Sequence, residues 1–118
     1  MRKPMHSDLD SGDELLFVYG SLMNPAERVR LLGRPIDSSP GRLAGWVRGR
    51  KRHYFVARQA GAVTDGAILE GLSGRDLAIL DEYEEVPALY TRERIEVLGG
   101  SGRKIECWVY LPTSWAKD

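Results

Sequence analysis

Apolar and polar residues are arranged along the chain in a pattern that predicts mostly β-strands. The run ELLFVYG at 14–20 consists almost entirely of strand formers and is typical of a buried strand. Further strands are predicted at 41–49, 52–59 and 66–72. Two long ones follow at 90–100 and 103–112, joined by a Gly-Gly-Ser-Gly turn. The pattern therefore predicts six strands.

Two helices are predicted between these strands from their start and stop signals. Asn24 can cap the first helix, Glu27 stands where a capping box needs a carboxylate, and Gly33 can end it. Ser73 can cap the second helix, which should run to about Glu85. We therefore expect an α+β fold, a mixed six-stranded β-barrel-like sheet with two short flanking helices.

Length and composition place this fold in one domain. The chain has 118 residues, and we expect a disordered N-terminal tail at 1–13 and a single domain at 14–118. The 17 acidic and 17 basic side chains balance, which argues against a nucleic-acid or membrane partner. No apolar run reaches the length of a membrane span, and the single cysteine, Cys107, suits a reducing compartment. These features predict a cytoplasmic protein.

Several kinds of catalytic site are excluded by the residues present. One cysteine and two distant histidines, His6 and His53, cannot form a metal site of the usual spacing. Ser21 does not stand in a GxSxG motif and has no plausible base, so it is not expected to be a nucleophile. No lysine follows Gly20 as a phosphate-binding P-loop would require.

The strand-to-helix turn at 19–22 is the first candidate binding element. Backbone N–H groups at the start of a helix have no internal partners, and Gly20 would let a ligand approach them closely. Such amides can bind a carboxylate or a developing oxyanion. A plain connection without a ligand explains the same residues about equally well.

The acidic segment LDEYEEVP at 80–87 is the second candidate. Four carboxylates near the C-terminal end of a helix oppose the helix dipole, which a purely structural helix would avoid. At 3.6 residues per turn, Glu84 falls between Leu77 and Leu80 on the apolar face. Burial would raise the pKa of an inward carboxyl and suit it to proton transfer. The alternative is a surface glutamate at a frayed helix end.

Taken together, the segments FVYGSLMNP and LDEYEEVPALYTRERIEV resemble the gamma-glutamylcyclotransferase-like superfamily. The similarity extends from residue 15 to about residue 111. It is most evident for the gamma-glutamylamine cyclotransferases and the plant proteins related to the avirulence-induced genes. The resemblance implies a mixed β-barrel, no cofactor, and a pocket for a small γ-glutamyl substrate.

The resemblance also implies roles for individual residues. Glu84 corresponds to the catalytic acid/base glutamate of the family, in agreement with its position on the helix. The substrate-binding residues that it implies are Tyr19, Gly20, Ser21, Leu22 and Tyr90. Two departures affect the pocket: Glu85 stands where the family often has glycine, and HYFVARQAG replaces a Tyr-Pro segment in the third strand.

These observations predict an enzyme that converts a γ-glutamyl amide to 5-oxoproline and a free amine. The α-amine of the substrate would attack its own γ-carbonyl, so the protein would not need a nucleophile. The alternative is a non-catalytic module that binds an acidic metabolite or a protein partner in the same pocket. The amine that leaves and the oligomeric state stay open at this stage.

Overall fold

The computed structural model describes residues 12–117, and within them five strands form a closed barrel. The strands are β1 (Glu14–Val18), β2 (Ser38–Arg50), β3 (Tyr54–Leu72), β4 (Tyr90–Gly99) and β5 (Lys104–Pro112). Their order around the barrel is β1-β3-β2-β4-β5, and β1 and β5 close it as a parallel pair. Residues 1–11 of the predicted tail lie outside the described residues, and the single-domain boundary at residue 14 stays a prediction.

The α+β barrel-like fold is confirmed, but the predicted count of six strands is wrong. The segments 52–59 and 66–72, predicted as two strands, belong to the single long strand β3. In its pairing with β2, Trp46 lies opposite Arg58 and Ala44 lies opposite Val63. Four residues of β3, 59–62, therefore lie opposite the single residue Gly45 of β2 and form a β-bulge. Gly45 and Gly61 have φ values of 87° and 82°, so glycine bends the ladder here without ending the strand.

The first helix, α1 (Pro25–Leu32), begins and ends at the predicted residues. The Asn24 side chain accepts a hydrogen bond from the backbone N–H of Ala26 at 3.0 Å. Gly33 follows the helix in the left-handed conformation, with φ 79°. The expected capping box is absent, because the Glu27 carboxylate accepts two hydrogen bonds from Arg30 at 2.6 and 2.9 Å instead.

The second helix, α2 (Gly74–Tyr83), begins with the predicted capping box. The backbone N–H of Ser73 donates to Asp76 at 2.8 Å, and the N–H of Asp76 donates to Ser73 Oγ at 3.1 Å. The helix ends at Tyr83, two residues before the predicted end, and Glu84 is its C-cap. Glu85 then takes a left-handed conformation with φ 57°, which turns the chain away from the helix axis.

One apolar cluster joins the barrel to the 3-10 turn after β1 and to the helix α2. Leu22, from the 3-10 turn at Ser21–Met23, is 2% exposed and packs with Leu77 and Leu80 of α2 in this cluster. Burial of a leucine side chain stabilises the fold by about 1.5–3 kcal/mol. The turn after β1 and the end of α2 are therefore fixed to the same core. Within the described residues, neither helix is long and apolar enough to span a membrane.

Candidate active site

A cavity of about 330 Å³ lies between the turn after β1 and the end of α2. It takes its walls from β1, the β2–β3 hairpin, the segment after α2, and the first residues of β4. All six residues predicted as site residues line it: Tyr19, Gly20, Ser21, Leu22, Glu84 and Tyr90. The fold therefore brings all six into one cavity.

The turn after β1 forms one wall of this cavity with Gly20, Ser21 and Leu22. The carbonyls of Gly20 and Ser21 accept hydrogen bonds from the N–H groups of Met23 and Asn24 at 2.9 and 3.1 Å. The N–H groups at the start of a 3-10 turn have no partner inside it. A β-carbon on Gly20 would come within 3.2 Å of Tyr54, so glycine allows the close packing of chain and ring.

Glu84, which follows α2, contributes a carboxyl group to the same cavity. Its backbone N–H continues the helical pattern, donating to Leu80 at 2.9 Å, so the last helical turn fixes its position. The side chain is half-buried, and within residues 12–117 it makes no side-chain hydrogen bond or ion pair. Burial raises the pKa of the Glu84 carboxyl to about 7. Such a carboxyl can accept and release a proton near neutral pH.

Three tyrosines form neutral walls of the cavity. Tyr19 donates its hydroxyl proton to the Tyr110 carbonyl at 2.5 Å, and Tyr90 donates to the carbonyl of Tyr54. Burial, with a smaller contribution from the charge of Glu84, raises the pKa of all three phenols above the ordinary value. The predicted contact residue Tyr90 thus has a hydroxyl that already donates inside the protein. The residue is buried and lines the cavity, and its ring packs edge-on against Tyr110 and Trp115.

The third phenol, that of Tyr110, is held by an ion pair behind the cavity. It donates to Asp81 Oδ1 at 2.7 Å, and Arg92 donates to both oxygens of Asp81 at 2.7 and 3.0 Å. Burial opposes ionisation of Asp81, but the hydrogen bonds from Arg92 and Tyr110 hold the pKa of this carboxyl below its usual range. Asp81 and Glu84 are thus two carboxyls of one segment with opposite pKa shifts.

The basic side of the cavity was missed by the sequence analysis. The basic run at 48–52 was assigned no functional role from the sequence, yet Arg50, Arg52 and His53 line the cavity. Arg48 donates to the Tyr19 carbonyl at 3.0 Å, which fixes the chain just before the turn. The sequence holds no local signal for this placement, because Arg52 lies in the turn between β2 and β3, outside the alternation of a strand.

The fold and the cavity together define a class of protein. It is a small closed barrel whose cavity combines a turn of backbone amides, one half-buried carboxyl and a cationic rim. The described residues contain no group of three potential ligands that could hold a metal ion. The arrangement can bind a small molecule with a carboxylate and transfer a proton on it.

Comparison with known proteins gives the family. The model of the family "Gamma-glutamyl cyclotransferase, AIG2-like" matches residues 16–118, so the chain belongs to this family. AIG2-like protein C of Arabidopsis thaliana is 34% identical over 101 residues, which are 81% of this chain and 57% of that protein. A protein of Methanocaldococcus jannaschii is 29% identical over 99 residues, 81% of this chain and 45% of its own. The name of that protein describes it as a gamma-glutamylcyclotransferase and adds RNase as an unproven second activity.

Solved structures give the same fold. A solution structure from Arabidopsis thaliana has a TM-score of 0.76 and 25% identity, covering 86% of this chain and 62% of its own. A structure named gamma-glutamyl cyclotransferase has a TM-score of 0.70 and 22% identity, covering 86% and 68%. The chain spans about half the length of the two relatives matched by sequence, those from Methanocaldococcus jannaschii and Arabidopsis thaliana.

Proposed function

We propose that this chain is a cyclotransferase that converts a γ-glutamyl amide to 5-oxoproline and a free amine. The observation that carries the proposal is the Glu84 carboxyl, half-buried and without a side-chain partner in the described residues, in the cavity that the Gly20 turn also lines. Membership of the family supports the reaction class. The balanced charge and single cysteine favour a small-molecule substrate and a cytoplasmic setting.

In this reaction the substrate supplies both the nucleophile and the electrophile. Its α-ammonium first loses a proton to the ionised Glu84 carboxylate and becomes a nucleophilic amine. The amine nitrogen attacks the γ-carbonyl carbon, and the new C–N bond closes a five-membered ring. The old C–N bond then breaks as protonated Glu84 donates its proton to the leaving nitrogen. The second proton that the ring nitrogen must lose passes by way of the same carboxylate to the released amine, which departs as an ammonium ion. No water is consumed, and Glu84 returns to its starting state after each cycle.

The cavity would accelerate this chemistry in two ways. Holding the substrate folded, with its amine close to the γ-carbonyl, can supply about 7–11 kcal/mol of the barrier reduction. Proton transfer by a positioned carboxyl adds about 10²–10⁴-fold. The amides of Gly20, Ser21 and Leu22 are the groups that would hold the α-carboxylate, or stabilise the developing charge on oxygen. The ring faces of Tyr19 and Tyr90 would support the substrate's carbon chain.

The experiment is a 5-oxoproline assay on γ-glutamyl dipeptides, γ-glutamyl amines and ε-(γ-glutamyl)-lysine. We expect turnover by the parent and a loss of about 10²–10⁴-fold for Glu84→Gln, since the amide cannot accept the proton. Glu82→Gln is the matched control, because Glu82 is exposed on the same helix and does not line the cavity. Its activity should equal that of the parent.

Two outcomes would overturn the proposal in different ways. If Glu84→Gln is as active as the parent, Glu84 is not the acid/base. If no γ-glutamyl compound is turned over, the reaction itself is wrong. Thermal stabilisation by 5-oxoproline or glutamate without turnover would then identify a binding module.

A further inference from the structure

Arg50 and Arg52, at the end of the β2–β3 hairpin, place positive charge at the edge of the cavity. Both residues line it, both are exposed, and neither forms an ion pair in the part of the chain that the structure describes. Glu85 also lines the cavity, but it lies beyond ion-pair distance of either guanidinium. Within residues 12–117, these two cations of the cavity have no ion-pair partner, so a bound anion can pair with them.

This rim is held in place by contacts at the hairpin. The Arg50 guanidinium lies over the ring of Tyr54, 4.9 Å from its centroid, and the Tyr54 carbonyl accepts the hydroxyl of Tyr90. At the tip, the ring of His53 packs edge-on against Trp115 with centroids 5.8 Å apart. Trp115 in turn donates to the carbonyl of Leu89 at 2.6 Å. The cations are thus carried on an anchored element.

In the proposed reaction, the charges of the glutamyl half already have partners. The α-carboxylate is assigned to the amides of the turn at 20–22, and the α-amine is assigned to Glu84. Neither assignment uses Arg50 or Arg52. The part of the substrate left to face them is the group attached to the γ-carbonyl, which departs as the amine. An anionic leaving group would fit the rim, and an uncharged alkylamine would leave both cations unpaired.

We propose that Arg50 and Arg52 select γ-glutamyl substrates whose leaving group carries a carboxylate, that is, γ-glutamyl amino acids over simple γ-glutamyl amines. The proposal rests on the cyclotransferase function proposed above. Arginine suits this role because its planar guanidinium binds carboxylates through two parallel hydrogen bonds. The carboxylate can lie beside the scissile nitrogen, as in γ-glutamyl-alanine, or further away, as in ε-(γ-glutamyl)-lysine.

The test uses substrate pairs that differ by one carboxylate. The first is γ-glutamyl-alanine against γ-glutamyl-ethylamide, and the second is ε-(γ-glutamyl)-lysine against γ-glutamyl-cadaverine. For the parent, we expect kcat/KM to be about 10- to 100-fold higher for the carboxylate-bearing member of at least one pair. The pair with the larger ratio tells where along the leaving group the carboxylate lies.

The Arg50→Gln, Arg52→Gln and double variants should remove this preference. The double variant should lose about 10- to 100-fold in kcat/KM on the carboxylate-bearing substrate, chiefly through KM, and less than about twofold on its partner. Arg52→Gln alone keeps the contact between Arg50 and Tyr54, so it tests the rim even if the double variant folds poorly. Arg42→Gln is the charge control, as Arg42 is exposed on β2 and does not line the cavity.

The possible failures are distinguishable. Equal losses on both members of a pair would show that the arginines bind the glutamyl half. Unchanged kcat/KM on both members would show that they bind neither part of the substrate. Each result overturns the inference while leaving the cyclotransferase reaction intact. Absence of turnover on all four substrates by the parent would overturn the proposed function, and this inference with it.

Discussion

The hydroxyl of Tyr83 lies 2.9 Å from Oγ of Ser21, across the gap between the turn after β1 and the end of α2. Tyr83 also donates to Glu27 Oε2 at 3.1 Å, so its oxygen is free to accept the proton of Ser21. Ser21 therefore has a side-chain function, although the sequence indicated only a backbone one. Tyr83, the residue directly before Glu84, is thereby joined to the turn that lines the same cavity.

Tyr83→Phe is expected to loosen this connection and lower activity. Removal of one hydrogen bond worth about 0.5–1.5 kcal/mol should reduce kcat/KM about 2- to 10-fold, because the carboxyl and the amides are less well aligned. The bond is exposed, so the free energy of unfolding should change by less than about 1 kcal/mol. Steady-state kinetics and urea unfolding measure the two effects.

Ser21→Ala provides the matched control for this prediction. If the two hydroxyls act through each other, the double variant should be no worse than the poorer single variant. Fully additive losses would show that Tyr83 and Ser21 act independently, and unaltered kinetics for Tyr83→Phe would contradict the alignment argument.

The dependence of activity on pH should reflect the ionisation of Glu84. The carboxylate form accepts the first proton, and burial raises the pKa of this group to about 7. We therefore expect kcat/KM to fall as the pH is lowered through about 7, with one proton bound in the inactive form. The measurement is the pH profile of 5-oxoproline formation by the parent and by Glu82→Gln. An acid limb near the ordinary glutamate pKa would contradict a buried acid/base.

The same burial should make Glu84→Gln more stable than the parent at neutral pH. Since the pKa rises from 4.5 in the unfolded chain to about 7 in the fold, the native state binds more protons between these values. The stability of the parent therefore falls as the pH increases from about 4.5 to 7. The glutamine has no charge to desolvate, so Glu84→Gln should gain up to about 3 kcal/mol at pH 7 to 8 and little at pH 4.

Urea unfolding at several pH values, with Glu82→Gln as control, measures this difference. A variant that is less stable than the parent at every pH would indicate that the ionised Glu84 makes a stabilising contact. The predicted combination of higher stability and lower activity is typical of a strained catalytic group.

The sequence predicted the barrel class, both helices and the place of Glu84 beside the cavity, because each depends on local signals. The catalytic role of Glu84 stays a prediction. The N-cap residues, the glycine that ends a helix and the helical periodicity can all be identified within short stretches such as Asn24–Gly33 and Ser73–Asp76. The predicted strand count was wrong at residues 59–62, where a glycine bends the ladder. The Ala-Gly-Ala sequence at 60–62 is compatible with a turn that ends a strand and equally with a bulge inside one.

The cationic rim was not predictable because it depends on where a hairpin folds. Arg50 and Arg52 become cavity residues only through the contact of the hairpin with the segment at 89 and the C-terminal Trp115. These partners are 39 and 65 residues away from Arg50 along the chain, beyond the range of periodicity arguments. The ion pair of Asp81 with Arg92 joins a helix to a strand and was hidden for the same reason.

Asp81→Asn should destabilise the fold by about 1–3 kcal/mol, because Arg92 and Tyr110 lose a charged acceptor that both contact. The pKa of Asp81 lies below its usual range in the fold, so its contribution is present above an unfolded pKa of about 4 and is lost as the pH falls through the lower folded value. The difference between parent and variant should therefore shrink in acid. Urea unfolding at pH 7 and pH 3 measures it, with the exposed neighbour Glu82→Gln as control. A difference that is the same at both pH values would mean that geometry, and not charge, accounts for the loss.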